Sequence, residues 1–477
     1  MNYKMQKLLT FAFAILTILT AQGKVRLSPL FSDNMILQQL TEAQIWGETT
    51  IKNGDITITP SWSSTAITTK ANGRGEWKTT ISTPSYGGPY TISISDGEAD
   101  VTIENVLIGE VWIASGQSNM ARTLAGMKDQ YIENSVIDIA KSRDSKLRIM
   151  SIRRGGATDP QTKVLSQGWQ EASSSVVRGT SATAYYFARM LRECLDIPVG
   201  IIVSAVGGTS INCWISNEIA AKYEDVVNHD EHYPHPDTRH SSVLYNAMIH
   251  PIAGYSSKGF IWYQGESDIV NYSSYSQKMV DLVDLWRKKW GDDSMAFYYA
   301  QIAPFDYEKE IAPGWKSHYI REAQLKAVDM IPNSGMAVLS DAGDKNNIHP
   351  SCKTIPGERL ALQALEKSYF FEGVESDGPT IKSVEIIGSE MVITFDNTKI
   401  GVITHNNEEV KDFEIAGDNG EFVKADARIE KGVVIVSAKS VKEPKYIRYG
   451  FKNWFKGTLY NVEGIPASSF RTDEFKH

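Results

Sequence analysis

The chain has 477 residues, 42% of them hydrophobic and 22% charged, with a formal net charge of −8. That length exceeds what one core ordinarily holds, so two or three domains are expected. The negative charge argues against nucleic acid or an anionic membrane as the main partner, while 11 tryptophans suit sugar stacking and large cores equally.

The first residues carry Lys4 and Lys7, an apolar run from Leu8 to Leu19, and then Ala21-Gln22-Gly23. This order of charged, apolar and small residues reads as a secretory signal over 1–23, so a secreted or periplasmic location is expected. The run is short for a membrane span, and none is expected after cleavage. Residues 24–105 read as a β domain. Ile56-Thr57-Ile58-Thr59 and Tyr90-Thr91-Ile92-Ser93-Ile94-Ser95 alternate, and turn signals such as Ala71-Asn72-Gly73-Arg74-Gly75 fall between such runs.

From residue 106 to about 375 the texture becomes α/β. Strands are predicted at Val106–Ser115, Leu147–Ile152, Val199–Val206, Gly259–Tyr263, Met295–Ile302 and Met336–Leu339. Helices are predicted at Ser181–Leu195, Tyr275–Trp290, His318–Met330 and Pro356–Phe370. The alternation implies a mostly parallel sheet covered on both faces. Residues 376–477 return to β texture, as in Met391-Val392-Ile393-Thr394-Phe395 and Gly432-Val433-Val434-Ile435-Val436.

Polar clusters follow four of the central strands: Gly116-Gln117-Ser118-Asn119-Met120, Gly207-Gly208-Thr209-Ser210, Gln264-Gly265-Glu266-Ser267-Asp268, and Asp341 through Ile348-His349-Pro350. The carboxyl edge of such a sheet is where ligands and chemistry sit. An acyl-transfer site needs a nucleophile, a base and oxyanion donors. Ser118 supplies a hydroxyl and His349 a base. The backbone N–H groups of Ser118 and Gly208, with the Gln264 amide or that of Asn119, are candidate oxyanion donors. Met120 stands where the Gly-x-Ser-x-Gly elbow has its second glycine, which disfavours an α/β-hydrolase.

These four blocks resemble the SGNH hydrolase superfamily and, within it, the sialate O-acetylesterases and related carbohydrate acetylesterases. The resemblance covers about Val106 to Leu365 and implies a three-layer α/β/α hydrolase domain flanked by β-sandwich-like regions. It implies Ser118 as nucleophile, His349 as catalytic histidine, and Ser118, Gly208 and Gln264 as the oxyanion hole. Gln117, Asn119 and Glu266 are the candidate substrate contacts. Many members have aspartate three residues before the histidine, where this chain has Asn346. The orienting group is then Asp344, Asp341, Glu266 or a backbone carbonyl, with Asp344 preferred.

The expected activity is removal of O-acetyl groups from carbohydrate, with O-acetylated sialic acid as substrate and no cofactor or metal required. Arg122, Arg178, Arg239 and Arg321 are the cations available for a sugar carboxylate. The alternatives are an acetylesterase acting on xylan or pectin, and a non-catalytic carbohydrate-binding protein on a hydrolase scaffold. Trp214, Tyr263, Tyr272 and Trp315 are read as either pocket or core. His229, His232, His235 and His240 are read as a surface or rim loop rather than a metal site, and His250 as structural. Cys194, Cys213 and Cys352 match no zinc spacing, permit at most one internal disulfide, and read as structural.

Overall fold

The computed structural model describes residues 24–128, 130–225 and 239–475. The leader and His229, His232 and His235 lie outside the described residues. The central strands are β1 (Asp100–Gly116), β2 (Asp144–Ser151), β3 (Gln170–Ala172), β4 (Val199–Ala205), β5 (Gly259–Tyr263), β6 (Ala296–Ala300) and β7 (Ser334–Ala337). Their order across the sheet is β3–β2–β4–β1–β5–β6–β7. From β2 to β7 every neighbouring pair is parallel, and β3 lies antiparallel on β2.

The complete sheet has 11 strands and is mixed, where a mostly parallel one was expected. The reason is the length of β1. Its second half lies between β4 and β5. Its first half pairs with Gly87–Ser95 antiparallel, and Ile36–Gln38 adds parallel beside it. Position 105, the expected domain boundary, is therefore a bend within one strand. Asn105 adopts φ 57°, a conformation asparagine tolerates better than most residues. Its amide holds the bend by donating to Asn34 (2.8 Å) and Glu171 (2.9 Å).

Alternation along β1 sends successive side chains to opposite faces. Val111 and Ile113 enter one core, with helices α3 (Tyr272–Trp290) and α4 (Ser317–Met330). Trp112 and Ala114 enter another, with α2 (Ala182–Leu195) and α5 (Thr354–Lys367). Burial on both faces explains the unbroken apolar runs of the central strands. Helix α2 forms where Ala184, Phe187, Ala188 and Leu191 recur at helical spacing, and all four are buried. The Ser181 hydroxyl caps it by accepting the Ala184 N–H at 3.0 Å.

The N-terminal β region shares the first core, since Ile45, Ile58, Trp77 and Ile94 join the cluster that holds Val111. The C-terminal region has its own core of Ile393, Phe413, Val434, Tyr449 and Phe470 between two four-stranded sheets. It meets the central region through polar contacts to α4 and to the loop after β7, and through the Phe451 ring against His318 and Tyr319 of α4. The Arg321 guanidinium, wholly buried, donates to the Lys452 and Asn453 carbonyls and to the Ser317 and Ser469 hydroxyls. Of the three cysteines, Cys194 is exposed, Cys352 half-buried and Cys213 buried. Among the described residues no helix is long and apolar enough to cross a membrane.

Candidate active site

Strand β1 ends in a turn that only glycine fits. Gly116 has φ 137°, and a Cβ there would lie 2.2 Å from the Tyr263 carbonyl. The Gln117 N–H donates to that carbonyl at 2.9 Å, and helix α1 (Ser118–Ala121) begins at once. Ser118 thus stands at the first turn, where a backbone N–H has no acceptor within its own helix. The loop after β4 crosses directly over it: a Cβ on Gly207 would lie 3.3 Å from the Ser118 Cβ. Gly208 follows with φ 71° and open space where a Cβ would be.

His349 arrives on the loop after β7. Its Nε2 lies 2.9 Å from the Ser118 Oγ. Serine and histidine, 231 residues apart, are brought within hydrogen-bond reach. The Asn347 side chain accepts the His349 N–H at 2.9 Å, and Gln130 donates to the His349 carbonyl at 3.0 Å. The contact at Nδ1 is made by Arg122, whose Nη2 lies 2.7 Å away. Arg122 is four residues after Ser118, so one short helical turn delivers both groups.

The acids expected near His349 are engaged elsewhere. Asp344 accepts the Asn346 N–H at 2.9 Å, shaping its own turn. Asp341 holds Arg359 through both carboxylate oxygens, at 2.6 and 2.8 Å. Glu266 accepts from Asn119 at 2.5 Å. The group found beside Nδ1 is thus the Arg122 guanidinium, and the hydrogen bond Asp344 makes is to its own turn.

Gln264, the expected third oxyanion donor, is placed among interior partners. It is fully buried, and its amide nitrogen donates to Gln117 (3.1 Å), the Thr209 carbonyl (3.1 Å) and Asp268. Two N–H groups facing three acceptors leave none for an oxyanion. Its Oε1 accepts the Tyr275 hydroxyl at 2.8 Å. Asp268 in turn accepts the Ser210 hydroxyl (2.6 Å) and the Ile211 N–H (2.9 Å). Gln264 and Asp268 therefore clamp the Gly207–Ser210 loop rather than face the substrate. Burial pushes the Asp268 carboxyl up, against the pull of its donors Ser210, Ile211 and Gln264.

The expected substrate contacts Gln117, Asn119 and Glu266 are buried and bonded within the protein. Gln117 is 2% exposed, and its Oε1 accepts from Gln264 and from the N–H groups of Gly265 and Ser267. Asn119 is held between Glu266 and Lys353, all three buried. These residues build the floor of the site. Four residues have roles that sequence reasoning did not assign: Tyr275 and Lys353 were not singled out, Asp268 was noted only as part of its cluster, and Arg122 was read as a cation for a sugar carboxylate rather than a partner of His349. Two of them stand four residues beyond a candidate catalytic residue, Arg122 after Ser118 and Lys353 after His349, a spacing that was available as a signal.

Of the aromatic candidates, Trp214 and Tyr263 are core residues, at 0% and 1% exposure. Tyr272 is half-buried and stacks on Tyr319 with ring centroids 4.5 Å apart. His250 donates from Nδ1 to the Gln161 carbonyl (2.9 Å), a structural contact. Among the described residues no group of three histidine, cysteine, aspartate or glutamate side chains is placed to hold a metal ion.

A model of the family described as "Carbohydrate esterase, sialic acid-specific acetylesterase" matches residues 108–366. The human sialate O-acetylesterase is 26% identical over 434 residues, covering 82% of this chain and 80% of its own. The mouse sialate O-acetylesterase is 27% identical over 450 residues, covering 82% of each. The crystal structure of a carbohydrate acetylesterase from Xanthomonas citri superimposes with a TM-score of 0.85 at 29% identity, covering 95% of this chain and all of that one. The chain belongs to the sialic acid-specific acetylesterase family of carbohydrate esterases, and it is a carboxylic ester hydrolase.

Proposed function

We propose that the protein removes O-acetyl groups from carbohydrate through an acetyl-enzyme on Ser118, with O-acetylated sialic acid as the substrate. The observation that carries this reading is the 2.9 Å contact between Ser118 Oγ and His349 Nε2 beneath the Gly207-Gly208 turn. Ser118 attacks the acetyl carbonyl and His349 takes its proton. The oxyanion that forms is met by the N–H groups of Ser118 and Gly208. His349 returns the proton to the departing sugar oxygen, and water releases acetate by the reverse sequence.

Arg122 adds a condition. A guanidinium only donates, so Nδ1 of His349 accepts from it and Nε2 carries the ring proton toward Ser118. A base at Nε2 needs the other tautomer. Arg122 must withdraw from Nδ1 before His349 can deprotonate Ser118. The SGNH-type three-layer reading is supported by the helices on both faces of the sheet. The secreted or periplasmic reading rests on the character of residues 1–23.

The second reading is an acetylesterase acting on xylan or pectin. The Xanthomonas citri enzyme, described only as a carbohydrate acetylesterase, matches nearly the whole chain. Arg321, a candidate for a sialate carboxylate, is buried against the C-terminal region and cannot reach one. Acetate release from O-acetylated sialic acid and from acetylated xylan, with Ser118→Ala beside each, tests both points. Faster release from sialic acid that vanishes in the variant supports the reading. Faster release from xylan replaces the substrate, and turnover by the variant removes the nucleophile.

A further inference from the structure

Behind the nucleophile, Asn119 lies between a buried ammonium and a buried carboxylate. Lys353 Nζ donates to Asn119 Oδ1 at 2.6 Å, and Asn119 Nδ2 donates to Glu266 Oε1 at 2.5 Å and to the Ile348 carbonyl at 3.2 Å. Lys353 and Asn119 are each 1% exposed and Glu266 is 4% exposed. Asn119 follows Ser118 in the chain and Ile348 precedes His349. One amide therefore ties the backbone of the hydroxyl to the backbone of the imidazole.

An amide makes this tie in one orientation only. Its oxygen must face the ammonium and its nitrogen the carboxylate and carbonyl; turned over, donor would meet donor at Lys353 and acceptor would meet acceptor at Ile348. A lone buried ammonium is costly, and so is a lone buried carboxylate. Burial pushes Lys353 down to about 7, with Arg122 adding to the effect and Glu266 opposing it, and burial pushes Glu266 up. Oε2 of Glu266 is buried with no hydrogen-bond partner. Such an arrangement contributes geometry more than stability.

We propose that Lys353 is a positioning residue for ester hydrolysis, fixing the Asn119 amide so that it holds the His349 loop against Ser118. The inference rests on the reading of Ser118 and His349 as the reacting pair. Lys353 touches neither reacting atom, and its effect passes through Asn119 and Ile348.

The test is Lys353→Met, which keeps the apolar stem and removes the ammonium, assayed on a small aryl acetate. The expected result is a fall in kcat of about 10²-fold, the scale of a small misplacement of a reacting group, with KM changed less than about twofold. Phosphonate labelling of Ser118 should slow by the same factor. Since the single variant strands the Glu266 charge, Lys353→Met/Glu266→Gln is made beside it. This double variant is expected to melt in one transition and still show the kcat loss, because the ammonium that holds the amide oxygen is gone. Either folded variant turning over and labelling at the unsubstituted rate, with Ser118→Ala inactive, overturns the inference. An active Ser118→Ala overturns the reading of the nucleophile instead.

Discussion

The two β-rich ends of the chain support opposite halves of the Ser118–His349 pair, and they do it by different physics. The N-terminal region is one body with the central sheet. Strand β1 carries ladder bonds to Gly87–Ser95 along its first half and to β4 and β5 along its second, then delivers Ser118. The C-terminal region keeps its own core and supports the loop bearing His349 by discrete polar contacts. The Gly457 N–H donates to the Ser340 carbonyl at 2.9 Å, and the Ser340 hydroxyl donates to the Ala467 carbonyl at 2.9 Å. Ser118 is thus held by the ladder of the central sheet. His349 rides on a loop whose supports are each worth about 1 kcal/mol.

Matched glycine substitutions break the comparison at each end. Gly116→Ala should have the largest effect, because the backbone conformation and the Tyr263 carbonyl both exclude a Cβ. A loss of about 3 kcal/mol or more is expected in chemical denaturation, with activity lost along with the native fold.

The C-terminal interface should respond to acid. His318 on α4 lies between the rings of Tyr319 and Phe451, with centroids 4.6 Å from each. Burial, then the cations Arg321, Lys316, Arg448 and Arg471, push its pKa down to about 2 from the ordinary 6.5. Between those values the unfolded chain holds a proton at this ring that the folded chain does not. Stability therefore rises with pH across the window and is lost as pH falls below 6.5. The loss should reach about 2–3 kcal/mol by pH 4.5. His318→Leu should flatten that limb in melts recorded against pH.

Gly457→Ala is the milder counterpart of the first substitution. Its Cβ would meet the Ser340 hydroxyl at 2.4 Å and Ser340 Cβ at 3.0 Å, displacing the hydroxyl that donates to the Ala467 carbonyl. About 1–2 kcal/mol of stability and about tenfold in kcat should be lost, with the sheet intact. Equal damage from the two glycine substitutions would remove the distinction between the ends. The smallest effect is spectroscopic. Imidazole nitrogen chemical shifts should report His349 as the Nε2–H tautomer in the resting protein, and Arg122→Met should deplete that tautomer.

The central strands and four helices were legible because apolar runs and helical spacing report burial locally, and Gly259–Tyr263 is the strand that was expected, residue for residue. The four polar strand ends were legible as a group for the same reason. The reach of β1 through Asn105 was not, since a bend held by Asn34 and Glu171 leaves no local mark. Roles within the site were less legible still. Gln264 and Asp344 have the right chemistry for an oxyanion donor and an orienting acid. Which partner each takes is decided by groups such as Thr209, Asp268 and Gln117 that meet it only in the folded chain. Lys353 reads as an ordinary surface lysine until Asn119, 234 residues earlier, is found against it.

The account stands or falls on the covalent intermediate. An aryl acetate mixed rapidly with the protein and quenched with acid should give a burst of phenol, because deacetylation becomes the slow step. Peptide mass spectrometry should then find the acetyl group on Ser118, with burst and adduct both absent in Ser118→Ala. A burst with the acetyl group on another residue, or full turnover by Ser118→Ala, would contradict it.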